Sequence, residues 1–515
     1  MNRNYESMIA YAMGGSAPAV LNTSGNPVAV SGTGLNVANV IGTLLTSYSG
    51  AGVVLGTGDK ATDKGDYRLS GDLVTGFTYS STKSVTRTSD KVTVQAKYTI
   101  TNNNSAAITI REVGVMTSYG SSNAYCMVDR QLLDLPLTIE AGGVGQLEFT
   151  EEIELSREAT ENTLDVAGVY GVEWCYGDTL TRLARFGAAS GFADPVPATA
   201  VDGQGSSSFD SIAPWSGMKR YNILDDGTMI AEGASGFSYG NDTVVYIPEF
   251  YVAAQKDATG MLWRWAISPT AREGFVKHPG SGRYVGRYHT SVVSSVYCSK
   301  TGNSPKVSIT RATARTNSHA KGDKWWLLDY ASWNAIQWLY LVEYANFYSQ
   351  STLGNGQNSG SVKAAGGTDT CVYHSLKRSG NSNQYRWIED PWSNVFDWVD
   401  GFVASERAVY IGTEPSTYGD TVEGLTATGV NLPSEGYISG FGYSNVFPWA
   451  MIPDKAGGAA TNCVTDYVYS NTGVRVLYAG GSYSSSDSYG LFYTSAGNYA
   501  TYLNGSLGSR LLYIP

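Results

Sequence analysis

The clearest pattern in the chain is an alternation of apolar and polar residues within residues 91–155. A period of two is typical of a strand with one buried face. Similar runs lie on both sides of the Gly142-Gly143 pair, and turn residues separate them. The pattern therefore predicts an antiparallel β-sandwich. Its best-defined apolar positions are Val92, Val94, Ala96, Tyr98 and Ile100.

Three segments carry no regular period. Residues 1–40 are rich in Ala, Gly, Ser and Asn, and we expect them to order only against a partner. Residues 56–69 are typical of a polar loop, and residues 191–211 of a long loop or linker. We predict an N-terminal segment (1–50), a β-rich domain (51–157), a linker (158–169) and a second domain (170–515).

From Trp215 onward the chain is dense in tryptophan. One stretch, SWNAIQWLYLVEYANF, has a period of 3.6 and offers Ser332 as a helix N-cap. Short strands precede it, so the second domain is predicted to be α+β. We expect the helix, Trp392 and Trp398 to lie in its core, and Asp225-Asp226-Gly227 to form a turn rather than a calcium loop. The periodic helix positions are Ile336, Leu339, Tyr340, Glu343 and Phe347.

Composition narrows the possible partners. The net charge of −10 argues against a nucleic-acid partner and against anionic membranes. No apolar run reaches the roughly 20 residues of a membrane span. The five cysteines form no CxxC pair and the four histidines are scattered, so we expect buried thiols, histidines that are at the surface or hydrogen-bonded, and neither metal nor cofactor.

Three separated motifs occur in order: Ser393–Trp398 (SNVFDW), Arg475–Tyr483 (RVLYAGGSY) and Leu507–Arg510 (LGSR). They resemble the signatures GNVWEW, RxxxGGSW/Y and LGFR of the formylglycine-generating-enzyme branch of the C-type lectin fold. The departures are Ser393 for Gly, Phe396 for Trp, Ser509 for Phe, and one extra residue between Arg475 and the Gly480-Gly481 pair.

The resemblance extends over about 170–515 and includes WSGMKRYNILDDGT and VVYIPEFYV. These segments are similar to the receptor-binding lectin domains of bacteriophage tail-fibre and related virion proteins, among them the variable proteins of diversity-generating retroelements. Residues 53–69 and 108–143 are similar to phage structural β-domains. The resemblance implies a homotrimeric virion protein that attaches to other virion proteins through its N-terminal region and adsorbs to a bacterial surface receptor, glycan or protein.

The same resemblance bears on catalysis. Enzymes of the branch oxidise a cysteine with two copper-binding cysteines that follow GGSY, and Cu(I) requires such soft thiolates. Those positions are Ser485 and Gly490 here, and neither forms a thiolate. We therefore expect a binding protein and no enzyme. The alternatives are a bacterial or prophage-encoded adhesin of the same fold and, from another class, a glycan-cleaving enzyme with paired carboxylates.

Residues 480–510 combine tyrosine with small polar residues, as antibody paratopes do. Many are residue types reached when adenines of asparagine codons mutate, so we hypothesise a retroelement-diversified region. Gly480, Gly481 and Gly490 are expected to need glycine, and Asn394 and Arg510 to orient loops through backbone hydrogen bonds. The expected receptor-binding residues are Tyr483, Ser484, Ser485, Ser486, Asp487, Ser488, Tyr489, Tyr493, Ser495, Asn498, Tyr499, Tyr502 and Asn504.

Overall fold

The computed structural model describes residues 19–21, 27–29, 52–59, 74–87, 91–119, 124–154, 162–175, 183–256, 262–457 and 464–515. The described chain is mostly β and forms two compact units, residues 1–161 and 162–515. Most of the N-terminal segment, and most of the polar loop expected at residues 56–69, lie outside the described residues.

The first unit contains eight strands in its described residues. They are β1 (Ala19–Leu21), β2 (Pro27–Ala29), β3 (Gly52–Gly56), β4 (Phe77–Arg87), β5 (Lys91–Asn102), β6 (Ile108–Tyr119), β7 (Ala124–Ile139) and β8 (Val144–Glu154). Of these, β5 to β8 are the ones that the alternating pattern of residues 91–155 predicts. Two antiparallel sheets have the orders β3-β6-β7 and β4-β5-β8. A β-carbon at Gly145 of β8 would lie 2.5 Å from Cδ1 of Ile139 in β7, so the two sheets touch.

The second unit begins with strands that build two of its large sheets and a separate two-stranded sheet. They are β9 (Tyr170–Cys175), β10 (Ala184–Gly187), β11 (Arg220–Ile223), β12 (Met229–Ala231), β13 (Asp242–Ile247), β14 (Tyr251–Lys256), β15 (Leu262–Ser268), β16 (Val276–Lys277), β17 (Arg283–His289), β18 (Ser291–Val293), β19 (Val296–Cys298) and β20 (Trp325–Leu327). The two-stranded sheet is formed by β18 and β19. The helices are α1 (Arg311–His319), α2 (Tyr330–Tyr344) and α3 (Ser349–Leu353), with 3-10 turns at Ser208–Ser211, Trp215–Gly217 and Pro415–Thr417.

The remaining strands of this unit follow the helices. They are β21 (Gln384–Tyr385), β22 (Ile388–Glu389), β23 (Phe396–Ser405), β24 (Ala408–Ile411), β25 (Thr426–Asn431), β26 (Glu435–Gly442), β27 (Ile452–Ala456), β28 (Tyr467–Ser470), β29 (Val474–Ala479), β30 (Thr494–Asn498), β31 (Leu507–Gly508) and β32 (Arg510–Tyr513). The sheet orders are β10-β9-β15-β14-β16, β12-β11-β13-β17-β32-β20 and β25-β24-β23-β29-β30-β28-β26-β27, with β31 parallel to β23.

Helix α2 lies in the core of the second unit, as its sequence predicts. All its residues are buried, because a helix that is apolar all round needs neighbours on every side. The indole of Trp338 donates to the carbonyl of Trp449 at 2.6 Å. The expected N-cap is wrong: Asp329 caps the helix, and its side chain accepts a hydrogen bond from the amide of Ser332. Asp329 precedes the apolar period, so the pattern placed the start three residues late.

The structure confirms two smaller predictions and corrects two others. Trp392 and Trp398 are buried, as predicted. The Asp225-Asp226-Gly227 turn is confirmed, with Gly227 at a φ of +83° joining β11 to β12. Residues 191–211 do not join separate bodies; Phe209 is buried in the core of the second unit. Residues 162–169, assigned above to a linker, also belong to this unit, where Leu164 and Val169 are buried.

The thiols and imidazoles that the structure describes have ordinary surroundings. Cys298 and Cys371 are free and buried, while the side chains of the other three cysteines lie outside the described residues. All four histidines make hydrogen bonds, as expected. Within the described ranges, no group of three His, Cys, Asp or Glu residues is arranged to hold a metal. No helix among those residues is long and apolar enough to cross a membrane.

Candidate functional site

The segment after the GGSY motif is fixed at its base by closely packed glycines. Gly480 adopts a φ of +78°, a conformation that favours glycine. A β-carbon at Gly481 would lie 2.5 Å from the carbonyl oxygens of Trp392 and Tyr489. Gly490 is equally confined, since a β-carbon there would lie 2.7 Å from Oδ1 of Asp466. The three positions therefore have the backbone angle or the packing that the sequence analysis expected.

Asn394 connects this segment to a neighbouring loop. Its side-chain amide accepts a hydrogen bond from the Lys363 amide (2.9 Å) and donates one to the Lys363 carbonyl (3.0 Å). Its own carbonyl accepts from the amide of Tyr483 at 2.9 Å. Arg510 has a similar role in the core, where its guanidinium donates hydrogen bonds to four backbone carbonyls. The prediction that both residues orient loops through the backbone is confirmed.

Asp466 holds the other end of the loop. Its two carboxylate oxygens accept hydrogen bonds from the amides of Gly490 and Phe492, each at 2.8 Å. The side chain is fully buried, and burial raises the pKa of Asp466 to about 7, although the amide hydrogen bonds oppose this shift. A buried carboxylate satisfied only by backbone amides fixes the course of the chain where the loop returns to the sheet.

Between these anchors the loop from Tyr483 to Tyr489 reaches the surface. Its tip is also tied down, because the exposed carboxylate of Asp487 accepts a hydrogen bond from the side-chain amide of Asn355. Gln350 donates to the carbonyl of Ser486 at 3.2 Å. The loop therefore presents its side chains from a backbone that is bonded at both ends and at the tip, which lowers the entropy lost on binding.

Two of the expected receptor-binding residues are wrong. Tyr493 is only 4% exposed and Ser495 is fully buried. Tyr493 directly precedes β30 and Ser495 lies in it, in the part of the sheet between β28 and β29. The ring of Tyr493 packs on Phe396, 5.7 Å between centroids. The remaining expected residues are exposed or half-buried: Tyr483, Ser484, Ser485, Ser486, Asp487, Ser488, Tyr489, Asn498, Tyr499, Tyr502 and Asn504.

The structure adds an aromatic row beside the loop, which we define as Tyr437, Tyr467, Tyr489, Phe396 and Tyr478. Each ring is half-buried. Centroids are 5.4 Å apart for the first pair, 5.9 Å for the third and fourth, and 5.3 Å for the last two. The row consists of the pair Tyr437 and Tyr467 and the group Tyr489, Phe396 and Tyr478, and the two parts are connected through the backbone, where the amide of Tyr467 donates to the loop carbonyl of residue 488.

Sequence reasoning missed four members of the row. Tyr437 and Tyr467 lie in short strands that are far apart in sequence but directly paired in register. Phe396 and Tyr478 lie inside two of the motifs, where they were noted only as scaffold. The only sequence signal was a tyrosine at alternate positions of YVYS (467–470) and in VRVLYA (474–479). Pairing between strands, which a sequence does not show, is what brings these rings together.

A second exposed segment, residues 499–504, follows β30. The side chain of Tyr499 is 62% exposed and that of Leu503 is 54% exposed. A turn brings the amide of Tyr502 to the carbonyl of Tyr499 at 3.0 Å, and the amide of Ser506 donates to the side chain of Asn504. Tyr499 lies over the guanidinium of Arg475, with 3.8 Å between the ring centroid and Cζ. Stacking on an exposed tyrosine is thus the observed role of Arg475.

One Ser-His-Asp arrangement lies elsewhere in the second unit. The ring of His374 contacts the Ser375 hydroxyl (2.8 Å) and the Asp210 carboxylate (2.6 Å). Ser375 is fully buried, and its oxygen also accepts from the amide of Arg386 at 3.3 Å. The Arg386 guanidinium joins Asp210 to the buried carboxylate of Glu343. A serine without access to substrate is no nucleophile, so this network is structural.

A cleft of about 520 Å³ opens between residues 194–199 and helix α3. Its two charged side chains already have partners: Lys377 donates to the carbonyl of Ser351 at 2.6 Å, and Asp194 pairs with Arg185 at 2.6 Å. The lining of the cleft therefore contains no pair of free side chains placed for acid–base catalysis.

The site consists of half-buried aromatic rings, serine hydroxyls and asparagine amides on a backbone that is held by hydrogen bonds. Such groups bind through contact area and hydrogen bonds. A scan against protein-family models finds no match, and a search of curated proteins finds no match either.

Proposed function

We propose that this chain is a phage virion protein whose second unit is a C-type-lectin-like domain that binds a bacterial surface receptor. The aromatic row together with the loop Tyr483–Tyr489 is the observation that carries the proposal. Tyrosine offers a large, rigid contact surface with a hydroxyl at its rim, and its ring stacks on sugar faces as well as on protein side chains.

The way the loop is held supports binding rather than a packing role alone. Asp466 and the backbone carbonyl of Asn394 bond its two ends, yet of the side chains between them Tyr483 is partly accessible and Asp487 is exposed. A preorganised backbone with accessible side chains binds without a large ordering cost. It also tolerates side-chain exchange, as a retroelement-diversified region requires.

The first unit, on this proposal, attaches the chain to other virion proteins, and three copies assemble per fibre. Several receptor-binding faces on one particle raise the effective affinity by their shared attachment, so each site needs only modest strength. A bacterial or prophage-encoded adhesin of the same fold would use the same face, and only the location of the protein separates the two readings.

A glycan-cleaving enzyme is the weaker candidate. Such an enzyme needs a carboxylic acid held protonated near neutral pH, and the raised pKa of Asp466 meets that requirement. However, Asp466 is fully buried, and both of its oxygens accept hydrogen bonds from the loop amides. It therefore has no path to a glycosidic oxygen, and the proposed function is binding without chemistry.

The test uses the full chain, labelled and incubated with a panel of fixed bacterial cells and with an array of purified bacterial polysaccharides. The wild-type chain is expected to bind a subset of the panel. Replacing Tyr467 and Tyr489 together by Ser should weaken that binding by at least about tenfold, because central aromatic contacts contribute about 2 kcal/mol or more.

The matched control is Tyr443→Ser, which removes a tyrosine 40% exposed and outside the aromatic row. The control should bind as the wild type does, and both variants should keep the wild-type far-UV circular dichroism. Binding that is unaffected by the double variant, or an absence of binding across the whole panel, would contradict the proposal.

A further inference from the structure

Arg475 differs from several other buried arginines of the second unit because its guanidinium does not pair with a carboxylate of the described residues. Its side chain is only 8% exposed, and its single hydrogen bond runs from Nη1 to the carbonyl of Val474 at 3.0 Å. The Nε atom is buried and has no hydrogen-bond partner in the described structure. By contrast, Arg283 and Arg386 each pair with a buried carboxylate, at 2.6 and 2.5 Å.

No carboxylate of the described residues lies within ion-pair distance of the Arg475 guanidinium, whereas nine other arginines in the described ranges do pair with a carboxylate. A cation that is largely removed from water without a counter-charge is unfavourable unless something compensates it. The stacked ring of Tyr499 compensates only in part, since a cation–π contact is weaker than an ion pair with a carboxylate. The unmatched charge therefore points to an anion that is supplied from outside the chain.

The geometry of the guanidinium defines how that anion would bind. Nε is buried and one hydrogen of Nη1 is bonded to Val474, so the donors that an outside anion can reach are the free hydrogens of the two terminal nitrogens, Nη1 and Nη2, which form one edge of the planar group. Two parallel N–H donors on one edge match the two oxygens of a carboxylate or a phosphate. Tyr499 covers one face of the guanidinium and leaves this edge uncovered by its ring, and its own 62% exposed side chain is available to a sugar ring.

We infer that Arg475 and Tyr499 form a subsite for an acidic sugar of the receptor, in which the guanidinium edge binds the carboxylate or phosphate and Tyr499 packs on the sugar ring. This inference rests on the proposed function and narrows the receptor from any surface molecule to an anionic glycan. Glu406 lies on the neighbouring turn, where its carboxylate accepts from the amide of Gly473.

The test measures binding of the full chain to three immobilised polymers by biolayer interferometry: polygalacturonate, which carries carboxylates; dextran phosphate; and neutral dextran. The wild-type chain should bind one or both anionic polymers more tightly than dextran, and salt should weaken that preference. Arg475→Gln should weaken binding to the preferred polymer by at least about tenfold. Arg475→Lys, which keeps the charge and loses the two-donor edge, should recover only part of it.

The control is Arg378→Gln, which makes the same change in net charge at a half-buried arginine elsewhere in the unit. Thermal melting of each variant separates lost binding from lost folding, and Tyr499→Ser gives a second, surface-exposed probe of the same subsite. Equal binding of the wild type to all three polymers, or wild-type binding by a folded Arg475→Gln, would overturn the inference. If such a variant still binds cells that the Tyr467/Tyr489 variant does not, the proposed function stands while the subsite fails.

Discussion

The buried carboxylate of Asp466 accepts a 2.8 Å hydrogen bond from the backbone amide of Gly490, in a space that admits no side chain at residue 490. This relationship connects an acid in one segment to the return of the candidate receptor loop. It makes both the stability of the loop and its response to pH depend on a group that no ligand touches.

Replacing Asp466 by Asn is expected to destabilise the second unit by about 1–3 kcal/mol, because an amide accepts through only one of its two polar atoms. Burial raises the pKa of Asp466 to about 7, so between about pH 4 and pH 7 the folded chain binds more protons there than the unfolded chain. The stabilising contribution of this group is full at the acidic end of that window and is lost as the pH rises. The wild-type advantage in Tm over the variant should therefore be larger at pH 5 than at pH 8.

Asp487→Asn, at an exposed carboxylate of the same loop, is the control. A difference that grows with pH would contradict the prediction.

Gly490→Ala is expected to lower the free energy of unfolding by about 1–3 kcal/mol. The added methyl group would meet the Ser349 hydroxyl and lie 2.7 Å from Asp466, and both of these groups are fixed by hydrogen bonds. Denaturant unfolding gives the measurement. Gly505→Ala provides the comparison, since a β-carbon at that position meets nothing within 4 Å. Equal unfolding midpoints for the two variants would show that the space around residue 490 adapts.

The same substitution should lower the stability of the protein much more at Tyr493 than at Tyr499. Tyr493→Ser removes a ring that packs on Tyr478, Tyr489 and Phe396, and we expect a loss of about 3 kcal/mol or more in stability. Tyr499→Ser removes a largely exposed ring whose main contact is its stacking on Arg475, and should lower stability by about 1 kcal/mol or less. Thermal melting distinguishes the two. Similar melting temperatures for both variants would place Tyr493 at the surface after all.

Asn394 adopts a φ of +67° and makes two side-chain hydrogen bonds to the backbone of Lys363. Asn394→Ala should lose both bonds and keep the unfavourable backbone angle, which together cost about 2–4 kcal/mol. Asn394→Gly should be less damaging, because glycine adopts that angle freely. Limited proteolysis near Lys363, followed by mass spectrometry, reads the local effect. Greater damage from Gly than from Ala would show that the backbone angle is unimportant here.

Periodicity in the sequence was sufficient to predict individual strands and the buried helix, but not which strands pair. Strands β5 to β8 follow the alternation of residues 91–155 because a period of two is a local property of each strand, although only β6 and β7 among them are both consecutive and paired. The helix around Trp338 was predicted for the same reason, although its cap was misplaced. Glycine also gave a local signal, since the positions flagged at 480, 481 and 490 do have special angles or tight packing.

The sequence by itself determined the strand-rich character of the first unit, the buried aromatic helix, and a tyrosine- and serine-rich segment near the C-terminus. Only the tertiary structure decided which of those tyrosines face solvent. Tyr493 and Tyr499 are chemically identical and six residues apart, yet one lies beside an interior strand and the other follows the end of that strand. The aromatic row and the unpaired Arg475 also depend on which strands become neighbours. That choice is made by long-range burial and pairing, which leave no periodic signal along the chain.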